Sequence, residues 1–308
     1  MASRLAQLAS HITGHPGTGG PIPAPLTGNL LQDQVCLITG SGQGIGRSCA
    51  LLFAAHGAKV VISDLDGAKA DSVRKEIEDA GGKDTAITVA GNVMEDGFAE
   101  RLVKAAVDKW GKINVIVNNA GFTNDKMLHN LDDATFRQML ECHTVAPFRI
   151  IRAAAPYLRI KEESKRENRS IINISSTSGT HGNVGQINYS AAKAAVVGMT
   201  KTIAKEWGPF GVRANVVAFG WIDTRLTRAK ESGETIVIDG KSVPLGIPGR
   251  PAAPSGSGDK PSVNATADIP LGRPGRTEEA ASSVLFMASG LAGYVSGQVL
   301  EVTGGRGI

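Results

Sequence analysis

The sequence predicts an α/β protein with a doubly wound parallel sheet covered by helices on both faces. Two observations carry this expectation. From about residue 31, short apolar runs alternate with amphipathic helical stretches along the 308-residue chain. Strands separated by helices become parallel strands joined by right-handed crossovers. The first apolar run also leads directly into the glycine-rich "TGSGQGIG" of residues 39–46 and then into a helix. An open sheet presents a phosphate cradle in that order, at the C-terminal end of a strand.

The elements follow in sequence. Residues 34–40 ("QVCLITG") read as a buried strand, 47–56 as a helix stopped by Gly57, and 58–64 ("AKVVISD") as the second strand. Residues 66–80 form an amphipathic helix ended by two glycines, followed by a strand in "TAITVAG" (85–91) and a helix over 95–110. Residues 113–121 ("INVIVNNAG") give the fourth strand, 133–158 one long helix, and 170–175 ("SIINIS") the fifth strand. The stretch around Tyr189 is a helix running to about Trp207, and strand 213–220, helix 277–288 and strand 298–302 complete the alternation.

Two segments stand outside it. Residues 14–28 are rich in Gly and Pro, so residues 1–30 read as a flexible N-terminal extension and 31–308 as the folded domain. Between Thr224 and Ile269 no regular element is expected, although connections in such units usually run ~4–6 residues. Its place after the C-terminal end of a strand makes residues 225–270 a long substrate lid with a flexible insertion.

Composition narrows the function classes. The formal charge of +4 is spread over Lys and Arg mixed with acids, which argues against a nucleic-acid face. No apolar run approaches the ~18–20 residues of a membrane span. Cys36, Cys49 and Cys142 are far apart, without metal-ligand spacing, and are expected to be buried free thiols in a reducing compartment. No metal site is expected.

The chemistry concentrates in two places. In "INYSAAK" (187–193) Tyr189 and Lys193 stand at i and i+4, one helical turn apart. A phenol ordinarily titrates near ~10, and a neighbouring ammonium favours the phenolate, so the spacing predicts a lowered pKa and an acid/base role for Tyr189. The same short pattern also fits a packed tyrosine beside a snorkelling lysine. In the glycine stretch, Gly40, Gly44 and Gly46 let the backbone turn and approach a pyrophosphate. Eighteen residues past Gly46, Asp64 ends the second strand. A carboxylate there accepts from both adenosine ribose hydroxyls and repels a 2′-phosphate, so NAD(H) is expected over NADP(H). No Arg or Lys at Ser41, Gln43 or Leu65 seats that phosphate instead. A turn aspartate before "LDG" is the other reading of Asp64.

With these residues in view, the chain from 34 to 305 resembles the short-chain dehydrogenase/reductase family. "TGSGQGIG", the "NNAG" of 118–121, Ser176 thirteen residues before Tyr189, and "YSAAK" occur in that family's order and spacing. The resemblance implies a Rossmann-type fold and an NAD(P)-dependent oxidoreductase. Tyr189 is then the acid/base catalyst, Lys193 binds the nicotinamide ribose and lowers the tyrosine's pKa, and Ser176 orients the substrate oxygen. It further implies that Gly40, Gly44, Ile45, Gly46, Asp64, Asn92, Val93, Asn119, Ala120 and Gly121 surround the adenosine and pyrophosphate. Gly220, Ile222 and Thr224 would clamp the nicotinamide carboxamide, with Phe219 where the family usually has proline.

His143, in "CHTVAP", occupies the place of a family asparagine that holds a relay water. An imidazole also bonds water but titrates near ~6.5, so the relay is expected to be pH-sensitive. This replacement resembles the dehydrogenase units of peroxisomal multifunctional enzymes acting on (3R)-hydroxyacyl-CoA, while residues 179–201 resemble 3-oxoacyl-(acyl-carrier-protein) reductases. Both imply interconversion of a 3-hydroxyacyl and a 3-oxoacyl thioester, on CoA or acyl carrier protein, in fatty-acid metabolism. The alternatives are a dehydrogenase of another secondary alcohol (steroid or polyol) and a non-catalytic cofactor-binding subunit of a heteromer. Residues 294–305 and the Tyr189 helix resemble surfaces through which family members form tetramers, which implies a homotetramer. Finally, "RLAQLASHI" (4–12) resembles the N-terminal import signal of peroxisomal matrix proteins, so a peroxisomal location is expected, with cytoplasmic and mitochondrial ones as alternatives.

Overall fold

The computed structural model describes residues 29–81, 84–228, 233–238, 240–246 and 266–307. The import-signal expectation for residues 4–12 and part of the lid expectation lie outside them.

Seven strands form one sheet: β1 (Val35–Thr39), β2 (Lys59–Asp64), β3 (Ala86–Ala90), β4 (Val115–Asn118), β5 (Arg169–Ser176), β6 (Val212–Phe219) and β9 (Val299–Val302). Their order is β3-β2-β1-β4-β5-β6-β9, and every neighbouring pair is parallel. Each residue of β1 and β6 is buried, as strands covered on both faces must be. The helices are α1 (Gly44–Ala55), α2 (Gly67–Gly81), α3 (Phe98–Trp110), α4 (Asp133–Leu140), α5 (Ala146–Leu158), α6 (Thr177–His181), α7 (Ile187–Trp207) and α8 (Thr277–Ala288). One face of the sheet packs α1, α2 and α8 through Phe53, Val73 and Val284; the other packs α3, α5 and α7 through Leu102, Ile151 and Ile203. From β1 the chain winds outward to β2 and β3, then returns to β4 on the far side of β1. That reversal opens a crevice beyond the C-terminal ends of β1 and β4.

The structure departs from the sequence expectation in three places. The helix expected over 133–158 is two helices separated by a π turn at Glu141–Val145. A one-turn helix, α6, directly follows β5. Within the segment expected to be a lid, β7 (Thr235–Ile238) and β8 (Lys241–Pro244) make an antiparallel hairpin. Ile238, Val243 and Leu245 bury themselves against Phe122, Met139 and Cys142 in a third apolar cluster above the crevice.

Candidate active site

The glycine loop is shaped by what it must avoid. Gly40 has φ +64°, and a Cβ on it would lie 2.7 Å from the Ala120 Cα. Gly46 faces the Gly40 carbonyl, where any side chain would collide. Asn119 closes this arrangement, its Nδ2 donating to the carbonyls of Thr39 (2.9 Å) and Gly40 (3.0 Å). In return, Thr39 Oγ1 accepts from the backbone N–H groups of Asn119 (3.1 Å) and Ala120 (3.0 Å). The ends of β1 and β4 are thus tied by polar contacts at the sheet's reversal.

Asp64 is buried and accepts from the backbone N–H of Gly42 (2.9 Å) and of Asp66 (3.0 Å), so it holds the turn as well as facing the crevice. A carboxylate has lone pairs left after two such bonds. Gly40, Gly44, Ile45, Asp64, Asn92 and Val93 line one cavity together with Asn119, Ala120, Gly121 and Thr224. Gly46 stands behind that lining. So do Gly220, packed against Thr303, and the buried Ile222, which bridges to Gly275. A crevice walled by backbone, with a carboxylate at its β2 end, fits a dinucleotide.

Beside this cradle stands the Ser176–Tyr189–Lys193 group. Ser176 ends β5 and caps α6, its Oγ accepting from the Ser178 N–H at 3.2 Å. The Ser176 hydroxyl stands close enough to the Tyr189 phenol to favour its ionised form. Lys193 lies one turn further along α7, with Nζ 5.6 Å from the Tyr189 ring centroid and donating to the Ile174 carbonyl at 2.7 Å. Gly179 of α6 packs against the Lys193 backbone, where a Cβ would lie 2.7 Å from the carbonyl carbon. The three side chains adjoin the cavity without lining it; Phe122 and Cys142 form the wall on that side.

Protonation states here follow burial. Burial pushes the Tyr189 phenol above its ordinary value, against the effect of the neighbouring Ser176 hydroxyl, and Asp125 pushes the same way. Burial lowers Lys193 to about 8. The expected lowering of Tyr189 by Lys193 is therefore corrected: desolvation of the phenolate outweighs an ammonium that sits over the ring face and donates to Ile174.

His143 lies in the π turn, edge-on to the Tyr189 ring at a centroid distance of 5.2 Å. Its Nε2 is 2.8 Å from the Phe122 carbonyl, and Nδ1 is buried without a protein partner. Burial first, then Lys193, holds the imidazole well below its ordinary value. The pH-sensitive relay expected at this position is accordingly corrected to a neutral imidazole. With Nε2–H donating to Phe122, Nδ1 is left as an acceptor. Gly121 makes room for it, since a Cβ there would collide with the ring.

Several supports had no sequence signal. Asn118 Nδ2 donates to Asn173 Oδ1, and Asn173 Nδ2 donates to Thr200 Oγ1, both at 2.8 Å, linking β4, β5 and α7 beneath the site. Ser178 Oγ donates to Gln186 Oε1 at 2.8 Å, and Gln186 Nε2 donates to Asp125 Oδ2 at 2.7 Å. Ile236 and Ile238 of β7 close the cavity opposite the glycine loop, and Arg225 enters it from the segment after β6. All three cysteines are buried and free. Among the described residues no group of three or more His, Cys, Asp or Glu is placed to hold a metal, and no helix is long and apolar enough to cross a membrane.

A sheet in this order, with a glycine cradle at its reversal and a serine, tyrosine and lysine gathered at the end of β5, defines a dinucleotide-dependent oxidoreductase. Residues 34–235 match the short chain dehydrogenase family, and the chain belongs to it. Residues 252–306 match a second family, described as enoyl-(acyl carrier protein) reductase. The 3-oxoacyl-[acyl-carrier-protein] reductase FabG of Thermotoga maritima is 37% identical over 275 residues, covering 89% of this chain and 98% of that relative. The peroxisomal hydratase-dehydrogenase-epimerase of Neurospora crassa is 40% identical over 185 residues, covering 60% of this chain and 19% of the larger protein. Among solved structures, a short-chain dehydrogenase/reductase of Brucella melitensis superposes with a TM-score of 0.71 at 25% identity, covering 90% of this chain and 97% of that one.

Proposed function

We propose that the protein is an NAD(H)-dependent oxidoreductase that interconverts a 3-hydroxyacyl and a 3-oxoacyl thioester carried on CoA or acyl carrier protein. The observation that carries this reading is the neighbouring Ser176 and Tyr189 side chains, with Lys193 one turn away, beside a glycine cradle and under an apolar wall. Phe122, Cys142, Ile236 and Ile238 supply that wall and suit an acyl chain better than a polyol. The relatives named 3-oxoacyl reductases support the same substrate class.

The nicotinamide, when bound, supplies or accepts the hydride. Ser176 positions the substrate oxygen by hydrogen bonding. Tyr189, whose buried phenol keeps its proton at neutral pH, delivers that proton to the oxygen as hydride arrives at the carbon. Lys193, a cation below about 8, compensates the phenolate that results. His143 Nδ1 is the acceptor that would hold a relay water. Asp64 favours NAD(H), because a 2′-phosphate would meet a carboxylate already fixed by two backbone N–H groups. The β7–β8 hairpin acts as the substrate lid.

Self-association into a homotetramer fits the fully exposed Tyr294 and the edge position of β9, and light scattering tests it. A peroxisomal destination rests on residues 4–12; a reporter fused to residues 1–30 that stays diffuse in a eukaryotic cell would refute it. The substrate is tested by following NADH oxidation with 3-oxoacyl-CoA, 3-oxoacyl-carrier protein, a keto-steroid and a ketose. Turnover confined to either of the last two overturns the thioester reading, and no turnover with any favours the non-catalytic subunit.

A further inference from the structure

One cation reaches the cofactor crevice from outside the glycine loop. Arg225 follows Thr224, is half-buried and lines the cavity opposite Gln43. With the Gln43 amide oriented so that its oxygen accepts, that oxygen lies 2.6 Å from Arg225 Nη2, 3.1 Å from Nε and 3.3 Å from Nη1. The side chain therefore spans the crevice mouth from the post-β6 segment to the glycine loop. Burial opposes its charge and holds its pKa below the ordinary value, while three carboxylates favour the charge, Asp64 foremost, then Glu234 and Asp66. Glu234 is itself paired with Arg228, at 3.6 Å.

A guanidinium carries five N–H donors in a planar fork that matches two oxygens of a phosphate, whereas a glutamine amide offers it one neutral oxygen. Holding a cation half-desolvated with a neutral amide as its hydrogen-bond partner is a poor exchange, but the same position lies over a loop whose backbone is shaped for phosphate. Positions 41, 43 and 65 carry no Arg or Lys, and the cation beside Gln43 comes instead from Arg225.

We propose that Arg225 is a phosphate clamp: on cofactor binding its guanidinium leaves the Gln43 amide and takes phosphate oxygens of the dinucleotide. Two groups offer that chemistry, the pyrophosphate over Gly40 and Gly44 and the 2′-phosphate of NADP beside Asp64. The inference rests on the nicotinamide-cofactor reading of the crevice and is independent of the thioester substrate.

The test is a binding titration of the full chain without acyl substrate, using NADH, NADPH and adenosine across a series of salt concentrations. Arg225→Gln should weaken at least one dinucleotide about tenfold, the equivalent of one charge-assisted hydrogen bond. It should also flatten the salt dependence, with Arg225→Lys recovering part of both. Equal losses for NADH and NADPH assign the pyrophosphate, and a loss confined to NADPH assigns the 2′-phosphate. Adenosine, which has no phosphate, should bind wild type and variants alike. Unchanged dinucleotide affinity and salt slope overturn the clamp, as does an equal loss of adenosine binding, which would make Arg225 a brace for the crevice. Absent thioester turnover leaves this outcome untouched.

Discussion

On the β1–β4 side of the crevice, positions are set by the backbone: Gly40 and Gly46 have no room for side chains, and Thr39 and Asn119 lock two strand ends together with four short hydrogen bonds. On the β5–α7 side, positions are set by burial. Tyr189, Lys193 and His143 stand among Phe122, Met139, Cys142 and the β7–β8 hairpin, and desolvation is the first cause of each one's shifted pKa. The contrast separates two tasks. A cofactor shared by many enzymes needs a rigid cradle with repeatable geometry, whereas proton transfer needs groups whose protonation states the surroundings adjust.

The largest expected effect strikes the second side alone. Tyr189→Phe keeps the ring and removes the proton, so turnover should fall at least ~10²-fold while NADH affinity, read by titration, stays near wild type. Near-normal turnover would remove Tyr189 from the chemistry. Next comes the seam between the sides. Gly121→Ala drives a methyl into the His143 ring and should destabilise the fold by ~1–3 kcal/mol in thermal unfolding. Combining it with His143→Ala should recover much of that loss, and strictly additive effects would show that the two residues do not meet.

A smaller effect tests the rigid side. Wild type should use NADH more efficiently than NADPH, and Asp64→Ala should narrow the ratio several-fold, in the direction of lost charge repulsion. A wild type that prefers NADPH refutes the role given to Asp64. The smallest effect is in the pH profile. Lys193 is lowered to about 8, so its cation is present below that value and lost above it. kcat/KM for reduction should decline above about pH 8, with no inflection near neutrality from His143, whose ionisation is pushed far below. Because an unfolded lysine keeps its proton to higher pH, this group's contribution to stability rises between about 8 and its ordinary value. A break near 6.5 that His143→Asn abolishes would reverse the assignment of a neutral imidazole.

Legibility in the sequence divides along the same line. The seven sheet strands and the glycine loop were readable because runs such as "QVCLITG" and spacings such as Gly40 to Asp64 encode local backbone requirements. Tyr189 and Lys193 were readable because helical spacing alone puts them together. Their protonation was not, since it depends on Phe122, Cys142 and a hairpin contributed from far along the chain. Arg225 gave no signal for the same reason: its partner Gln43 lies more than 180 residues away, and only the fold returns it to the glycine loop. The hairpin escaped because "TIVI" and "KSVP" are short and sit in a stretch crowded with Gly and Pro.

The π turn at Glu141–Val145 bears on how the chain tolerates changes of length. An α-helix turns about 100° per residue, so one uninterrupted helix over residues 133–158 would present a single stripe in fixed phase. The turn slips that phase. It lets α4 direct Met139 toward the β7–β8 hairpin while α5 directs Ile150, Ile151 and Ala154 toward the sheet. The segment works as a vernier between two cores, holding one surplus residue that ordinary helix pitch has no use for. Deleting Thr144 should therefore be absorbed as a regular helix, with thermal unfolding close to wild type, while His143 swings about 100° from the Phe122 carbonyl. A loss of folding equal to that from a deletion within α5 would show that the surplus residue serves the core as well.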